Sequence, residues 1–108
     1  MLKQKVYEEE LAKLTEVFKE INESKKKLVE GLIQDAAFLY AENYVLREAL
    51  SITGMIKFHP VNASLQKTFP AAKEYRQNLN SYAVVIKALD RVLMKDIVEE
   101  EDDMEDYE

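Results

Sequence analysis

The side chains of this 108-residue chain that could take part in catalysis are few and scattered. His59 is the single histidine and lies beside Pro60, in a stretch bounded by Gly54 and Pro70. Acid–base catalysis requires positioned groups with shifted pKa values, and one histidine in a loop does not supply them. The two glycines, Gly31 and Gly54, are isolated, so no glycine-rich phosphate loop is present. We therefore expect no catalytic residues, no cofactor and no enzymatic activity.

Polar residues that interrupt the apolar face of the middle of the chain are the candidates for a metal site: Asp35, Glu42 and Asn43. No Glu-x-x-His motif accompanies them, and carboxylates at the edge of an apolar stripe usually reach solvent or pair with a base. The chain has no cysteine, which excludes thiolate ligands and disulfides. We expect no metal site.

Lysines supply the remaining chemistry, which is phosphate binding. The candidate DNA-binding residues are Lys19, Lys25, Lys26 and Lys27. Clustered lysines gain affinity for nucleic acid by displacing counterions and need no base contacts. The alternative is a solvated face or turn, because neighbouring glutamates dilute the positive charge. The charge pattern alone leaves both interpretations open.

The acids of the chain are concentrated at its end. The net charge is −6, but residues 99–108 (EEEDDMEDYE) carry eight acids and no base, so the rest of the chain is +2. Such a run repels itself and buries nothing, which predicts a disordered acidic tail over residues 98–108 after a helical domain over residues 1–97. The tail is a solubilising segment, a docking segment for a basic partner, or an internal competitor for a DNA-binding surface.

The elements that position these residues are predicted to be helices, so the fold class is all-α. Apolar residues recur at three-and-four spacing from Leu11 to Leu50, which is typical of an amphipathic helix. The stripe lapses in NESKKK, residues 22–27, which favours two helices with Asn22 or Ser24 capping the second over one long helix. No apolar run reaches the roughly 18 residues of a membrane span, and no signal peptide is evident, so we expect a soluble protein without a membrane partner.

A heptad pattern follows in the carboxy-terminal part. Residues Ala72, Tyr75, Leu79, Tyr82, Ile86, Leu89 and Leu93 alternate spacings of three and four. This predicts a coiled-coil or bundle helix from about residue 70 to 97. We expect its apolar face to pack on Leu28, Leu32, Leu39 and Leu46 and to continue into an oligomer interface. The candidate interface residues are Leu32, Leu39, Leu46, Tyr75, Leu79, Tyr82, Ile86, Leu89 and Leu93.

The breakers of the chain mark the connection between these helices. Gly54 suits the left-handed residue that ends one helix, and Pro70 suits the first turn of the next. Residues 55–69 are longer than the usual helix connection of roughly 2 to 8 residues. Ile56 and Phe58 alternate with polar residues, which suggests a short strand that pairs with a second strand nearby or in another subunit.

The order of these pieces resembles that of the small terminase subunits of tailed bacteriophages, particularly the short type in prophages of Gram-positive bacteria. The matching features are KKKLVEGLIQDAAFLY at residues 25–40, Gly54, Pro70, Tyr75 and Tyr82, and IKALDRVL at residues 86–93. The resemblance covers most of the chain. It departs in the loop, where FHPVNASLQK stands in place of an Asn-Gly-rich hairpin.

The resemblance implies a non-enzymatic factor of viral DNA packaging in the cytoplasm of the bacterial host. Subunits would assemble into a ring, recognise double-stranded viral DNA, and recruit or regulate the large subunit that holds the ATPase and nuclease. The open alternative is a helical-hairpin adaptor that binds only protein and uses the acidic tail for docking.

Overall fold

The computed structural model describes residues 2–57 and 67–105, with side chains over residues 2–56 and 68–99. Its helices are α1 (Leu2–Val17), α2 (Glu23–Thr53) and α3 (Pro70–Glu105). Two short strands, β1 (Ile56–Lys57) and β2 (Lys67–Thr68), lie between α2 and α3. The predicted all-α class is confirmed. Within the described ranges, no helix is long and apolar enough to cross a membrane.

The amino-terminal part is two helices, as the interrupted stripe favours. Asn22 caps α2, because its side-chain oxygen accepts a hydrogen bond from the Ser24 amide at 3.0 Å. The turn before it buries Phe18 and Ile21 at 6% exposure each, so apolar packing fixes the angle between α1 and α2. The cap satisfies one of the free amides of the first helical turn.

The connection between α2 and α3 contains the strand pair that the alternation of residues suggests. Gly54 ends α2 with φ 76° and ψ 172°, and its amide donates to the Leu50 carbonyl at 2.8 Å. β1 and β2 then pair antiparallel, with Lys57 opposite Lys67. Pro70 is the first residue of α3. Residues 58–66, including His59, lie outside the described part of the chain.

The α2 and α3 helices form an antiparallel hairpin. Asp96 lies beside Asn22, Tyr82 beside Tyr40, and the Phe69 amide donates to the Met55 carbonyl at 3.2 Å. The end expected for α3 near residue 97 needs correction, because the helical backbone continues through the acidic segment to Glu105. Glutamate is a good helix former, and the helix extends from a packed segment, so no new nucleation is needed. The predicted disorder of the acidic tail stays a prediction.

The core lies where all three helices meet. Its buried residues are Leu14, Phe18, Ile21, Val29, Ile33, Ala36 and Leu89. The expectation that Leu28 belongs to this core is wrong, since Leu28 is 63% exposed. Helix α2 packs on α1 and α3 along different sides, so its buried arc is centred on Val29 and Ile33 and includes Ala36 and Ala37. The alanines let the neighbouring helices approach closely.

Helix α1 covers only part of the hairpin. Its first turn reaches Glu42, which forms an ion pair with Lys3. The rest of the hairpin, residues 43–57 and 67–81, extends past α1 as an arm of two helices and the short strand pair. We call this region the arm. It contributes to the elongated shape of the described chain, which measures 75 × 31 × 17 Å.

Candidate nucleic-acid interface

The four lysines that the sequence marks as DNA-binding candidates lie on the turn before α2 and on its first turn, next to acids. Lys19 pairs with Glu16 at 2.6 Å, and Lys26 pairs with Glu23 at 2.8 Å. The partners of each pair are three residues apart and lie at the protein surface, where an ion pair contributes about 0.5 kcal/mol or less. Lys27 is exposed and makes no ion pair with a described carboxylate. The cluster is therefore largely neutralised by its own neighbours.

Lys25 forms ion pairs with helix α3 and is not available as a free surface charge. Its Nζ lies 2.8 Å from Glu99 Oε2 and 3.5 Å from Asp96 Oδ1. Asp96 is 6% exposed and also accepts a hydrogen bond from the Asn22 amide at 3.3 Å. This clasp joins the start of α2 to the end of α3. The Asp96 carboxylate also lies at the positive end of the α2 dipole, which favours a negative charge there.

The clasp favours the charged form of Lys25. The hydrogen bond to Glu99, reinforced by the charges of Glu99 and Asp96, raises the pKa of the Lys25 ammonium above its ordinary value of 10.5. Removal of Lys25 would leave the buried carboxylate of Asp96 without its cation. A change in DNA binding on mutation of Lys25 would thus combine lost charge with lost structure.

Helix α3 carries a second basic surface, which the sequence analysis missed. It consists of Lys73, Arg76, Lys87, Arg91 and Lys95. The spacings along this series are 3, 11, 4 and 4 residues, each of which returns to the same side of an α-helix. All five side chains are exposed, and none forms an ion pair with a described carboxylate. We call this surface the α3 basic face.

Few acids lie on the same stretch of helix as the α3 basic face. Between Pro70 and Lys95 the helix holds two acids, Glu74 and Asp90, against its five bases, so this stretch has a net charge of +3. These bases are far apart along the chain. A search for runs of adjacent lysines, which finds residues 25–27, therefore does not find them. Helical spacing, the same signal that reveals the heptad seam, is the signal that finds them.

The tip of the arm adds two more bases. The antiparallel register makes Lys57 and Lys67 direct neighbours across the strand pair. Like charges at directly opposed positions destabilise a two-stranded ladder. The strand register therefore places two lysines at positions where a pair of like charges does not stabilise the ladder.

The candidate interface residues divide into three groups by exposure. Leu89 is 2% exposed and lies in the core of the single chain, whereas Leu79 on the arm is 42% exposed. The remaining candidates are half-buried: Leu32, Leu39, Leu46, Tyr75, Tyr82, Ile86 and Leu93. The sequence-based prediction that Leu89 lies in an oligomer interface needs correction, because Leu89 packs inside the single chain; a charge there, as in Leu89→Asp, should unfold the subunit and not only prevent assembly.

The polar residues considered for a metal site have other surroundings. Glu42 pairs with Lys3, Asp35 is exposed, and Asn43 is 6% exposed. No group of three potential metal ligands occurs among the described side chains, residues 2–56 and 68–99. Comparisons with protein-family models, with curated proteins and with solved structures find no match to this chain.

Proposed function

We propose that this protein is a small terminase subunit, a non-enzymatic factor that assembles into a ring, binds double-stranded viral DNA and recruits or regulates the large ATPase and nuclease subunit. The proposal starts from the resemblance in sequence. The helix boundaries at Gly54 and Pro70, on which that resemblance partly rests, are the boundaries of α2 and α3. Tyr75 and Tyr82 lie half-buried on α3, in the heptad seam.

The proposal of ring assembly rests on apolar side chains that remain exposed to solvent in the single chain. On the arm, where α1 is absent, Val45 is 41% exposed, Leu79 is 42% exposed and Ile52 is 86% exposed. Each arm is only two helices thick and cannot bury these side chains by itself. A neighbouring subunit packed against the arm would remove them from water, at roughly 25 cal/mol per Å² of apolar surface.

The acidic end of α3 supplies the surface for the large subunit in this proposal. Residues 99–108 carry eight acids, and their helical part projects beyond the clasp at Asp96. A run of negative charge attracts a basic partner and accelerates encounter with it. The place of action that accompanies this function is the cytoplasm of the bacterial host.

Native mass tests the assembly part directly. We expect light scattering on a sizing column to give a multiple of the 12.6 kDa chain mass that corresponds to many subunits. Leu79→Asp should reduce the mass toward the monomer, because it places a charge on exposed apolar surface of the arm. Val17→Asp is the matched control, since Val17 is 53% exposed at the end of α1 and away from the arm. A wild-type monomer would contradict the ring.

A second candidate function is favoured by the neutralised lysines. Lys19, Lys25 and Lys26 are each paired with an acid of the same chain, as expected for a helical adaptor that binds protein and not DNA. Salt dependence separates the two functions. DNA binding through phosphates weakens steeply with salt, whereas an adaptor has no DNA affinity to lose.

A further inference from the structure

We propose that the chain binds the phosphates of double-stranded DNA with the α3 basic face, and that Lys19, Lys25, Lys26 and Lys27 are not its DNA contacts. This inference rests on the proposed DNA-packaging function and names the surface that performs it. Three of the four lysines at or before the start of α2 are unsuited to phosphate binding: Lys19 and Lys26 are paired with acids, and Lys25 holds the clasp between helices. Lys27 is exposed and unpaired among the described carboxylates, but it is a single charge next to these pairs.

The first argument is the availability of charge. An ion-paired lysine must give up its carboxylate partner before it can gain a phosphate, so part of the electrostatic gain is cancelled. Lys73, Arg76, Lys87, Arg91 and Lys95 have no described carboxylate within ion-pair distance. Their charges are free to displace counterions from DNA, which is the main source of sequence-independent affinity.

The second argument is geometry. Residues 73 and 95 are 22 positions apart on a continuous helix, which corresponds to about 33 Å at 1.5 Å per residue. One turn of B-DNA has a length of about 34 Å. A straight rod with bases along one side for this length can contact phosphates over roughly one duplex turn.

The third argument is orientation. The opposite side of α3 is the heptad seam, in which Ala72 is fully buried and Leu89 is 2% exposed against the other helices. Intrachain packing therefore fixes which side of α3 faces outward. The outward side is the basic one, so binding needs no rearrangement of the subunit.

The fourth argument is the distribution of charge along the hairpin. Residues 43–81 contain five bases and two acids, so their net charge is +3. The whole chain has a net charge of −6, so all other residues together carry −9. The arm tip includes the opposed residues Lys57 and Lys67. DNA would be attracted to the arm and repelled by residues 99–108.

Two triple variants with equal charge loss test the inference. The first is Arg76→Gln, Lys87→Gln and Arg91→Gln, and the second is Lys19→Gln, Lys26→Gln and Lys27→Gln. Each removes three positive charges from the full chain and changes its net charge from −6 to −9. All six residues are partly or fully exposed, and circular dichroism verifies that the helices persist.

The readout is the affinity for a duplex of about 30 base pairs, roughly three helical turns, measured by fluorescence anisotropy over a series of salt concentrations. Each phosphate contact contributes about 0.9 to the slope of log K against log salt, so the α3 variant should lose about 3 from the slope and at least tenfold in affinity at moderate salt. The triple variant of Lys19, Lys26 and Lys27, called the α2-side variant, should keep the wild-type slope.

A second measurement follows lysine reactivity by mass spectrometry. We expect bound duplex to protect Lys87 from acetylation and to leave Lys27 reactive. Equal losses in both triple variants, or a loss confined to the α2-side variant, would overturn the inference while the DNA-packaging function stands. Absence of duplex binding by the wild-type chain at low salt would overturn both.

Discussion

Asn43 is the buried polar side chain with the least satisfied environment. It is 6% exposed, and its Oδ1 has no hydrogen-bond partner in the described structure. It lies seven residues from Ala36 and seven from Leu50, both of them buried on α2. Tyr40, about one helical turn before Asn43, lies against Tyr82 of α3, with the ring centroids 6.3 Å apart. An unsatisfied buried acceptor costs about 1 to 3 kcal/mol.

Replacement of this side chain should stabilise the fold. We expect Asn43→Leu to raise the free energy of unfolding by about 1 kcal/mol, because it removes the unpaired acceptor and adds apolar surface to the seam. Urea denaturation at fixed protein concentration measures the change. Asn80→Leu, at an exposed position of α3, is the control and should stay within about 0.5 kcal/mol. A destabilised Asn43→Leu would mean that the amide has a partner.

Tyr82 makes the stability depend on pH in the alkaline range. Burial raises the pKa of its phenol above the ordinary 10.0, with further contributions from the charges of Glu10 and Tyr40. Because the folded phenol ionises at a higher pH than the unfolded one, the folded state is favoured by the neutral phenol. This contribution to stability is fully present below pH 10.0 and is lost as the pH rises through the raised pKa.

Tyr82→Phe should therefore lose less stability than the wild type when the pH is raised above 10, because phenylalanine has no proton to release. Urea denaturation at a series of pH values measures this difference. Spectrophotometric titration should also show that the variant lacks the tyrosinate step of the shifted group. Tyr7→Phe controls for the loss of one tyrosine. Identical alkaline curves for Tyr82→Phe and wild type would refute the assignment.

At the scale of elements, the boundary between α2 and the strand pair depends on one glycine. Gly54 has φ 76° and ψ 172°, a backbone region that only glycine occupies readily. Gly31 lies inside α2 with ordinary helical geometry. An added Cβ would meet no heavy atom within 4 Å at either position. The two glycines therefore differ in backbone conformation and not in available space.

Alanine substitutions should have opposite effects at these sites. Gly54→Ala should lower the free energy of unfolding by about 1 to 3 kcal/mol, since alanine is strained at this φ and ψ. Gly31→Ala should raise it by roughly 0.5 to 1 kcal/mol, since alanine loses less backbone entropy in a helix. Chemical denaturation of both variants provides the comparison. Equal tolerance at both sites would show that the turn relaxes around the new side chain.

At the scale of the whole molecule, one end is three helices thick and the other is an arm of two. Leu89 belongs to the three-helix core at 2% exposure, and Leu79 lies on the arm at 42%. The same residue type, in the same heptad seam, therefore has different roles. Leu89 stabilises the chain, whereas Leu79 is available to a neighbouring subunit.

Truncation of these two leucines should separate folding from assembly. Leu89→Ala should cost about 2 to 5 kcal/mol of unfolding free energy through the cavity it leaves. Leu79→Ala should cost less than about 1 kcal/mol in a dissociated subunit and should weaken assembly. Denaturation at low protein concentration and light scattering over a concentration series measure the two effects. Comparable unfolding costs would place Leu79 in the intrachain core.

The sequence by itself determined the helical class, the break before α2, and the ends of the long connection. These are local properties: Asn22 caps through its own side chain, Gly54 permits a positive φ, and Pro70 fits a first helical turn. The strand pair was also predictable, because Ile56 alternates with polar residues between two breakers. The heptad seam of α3 followed from spacing alone.

Tertiary structure decided which surfaces remain free. Leu28 satisfies the helical spacing and yet is exposed, because the directions of α1 and α3 around α2 select the buried arc. Lys25 belongs to the densest basic cluster and yet is held by Glu99, whose position 74 residues later is fixed only by the antiparallel hairpin. Spacing along one chain defines the faces of each helix, but the charge and apolar area left exposed depend on which residues of other helices lie against them.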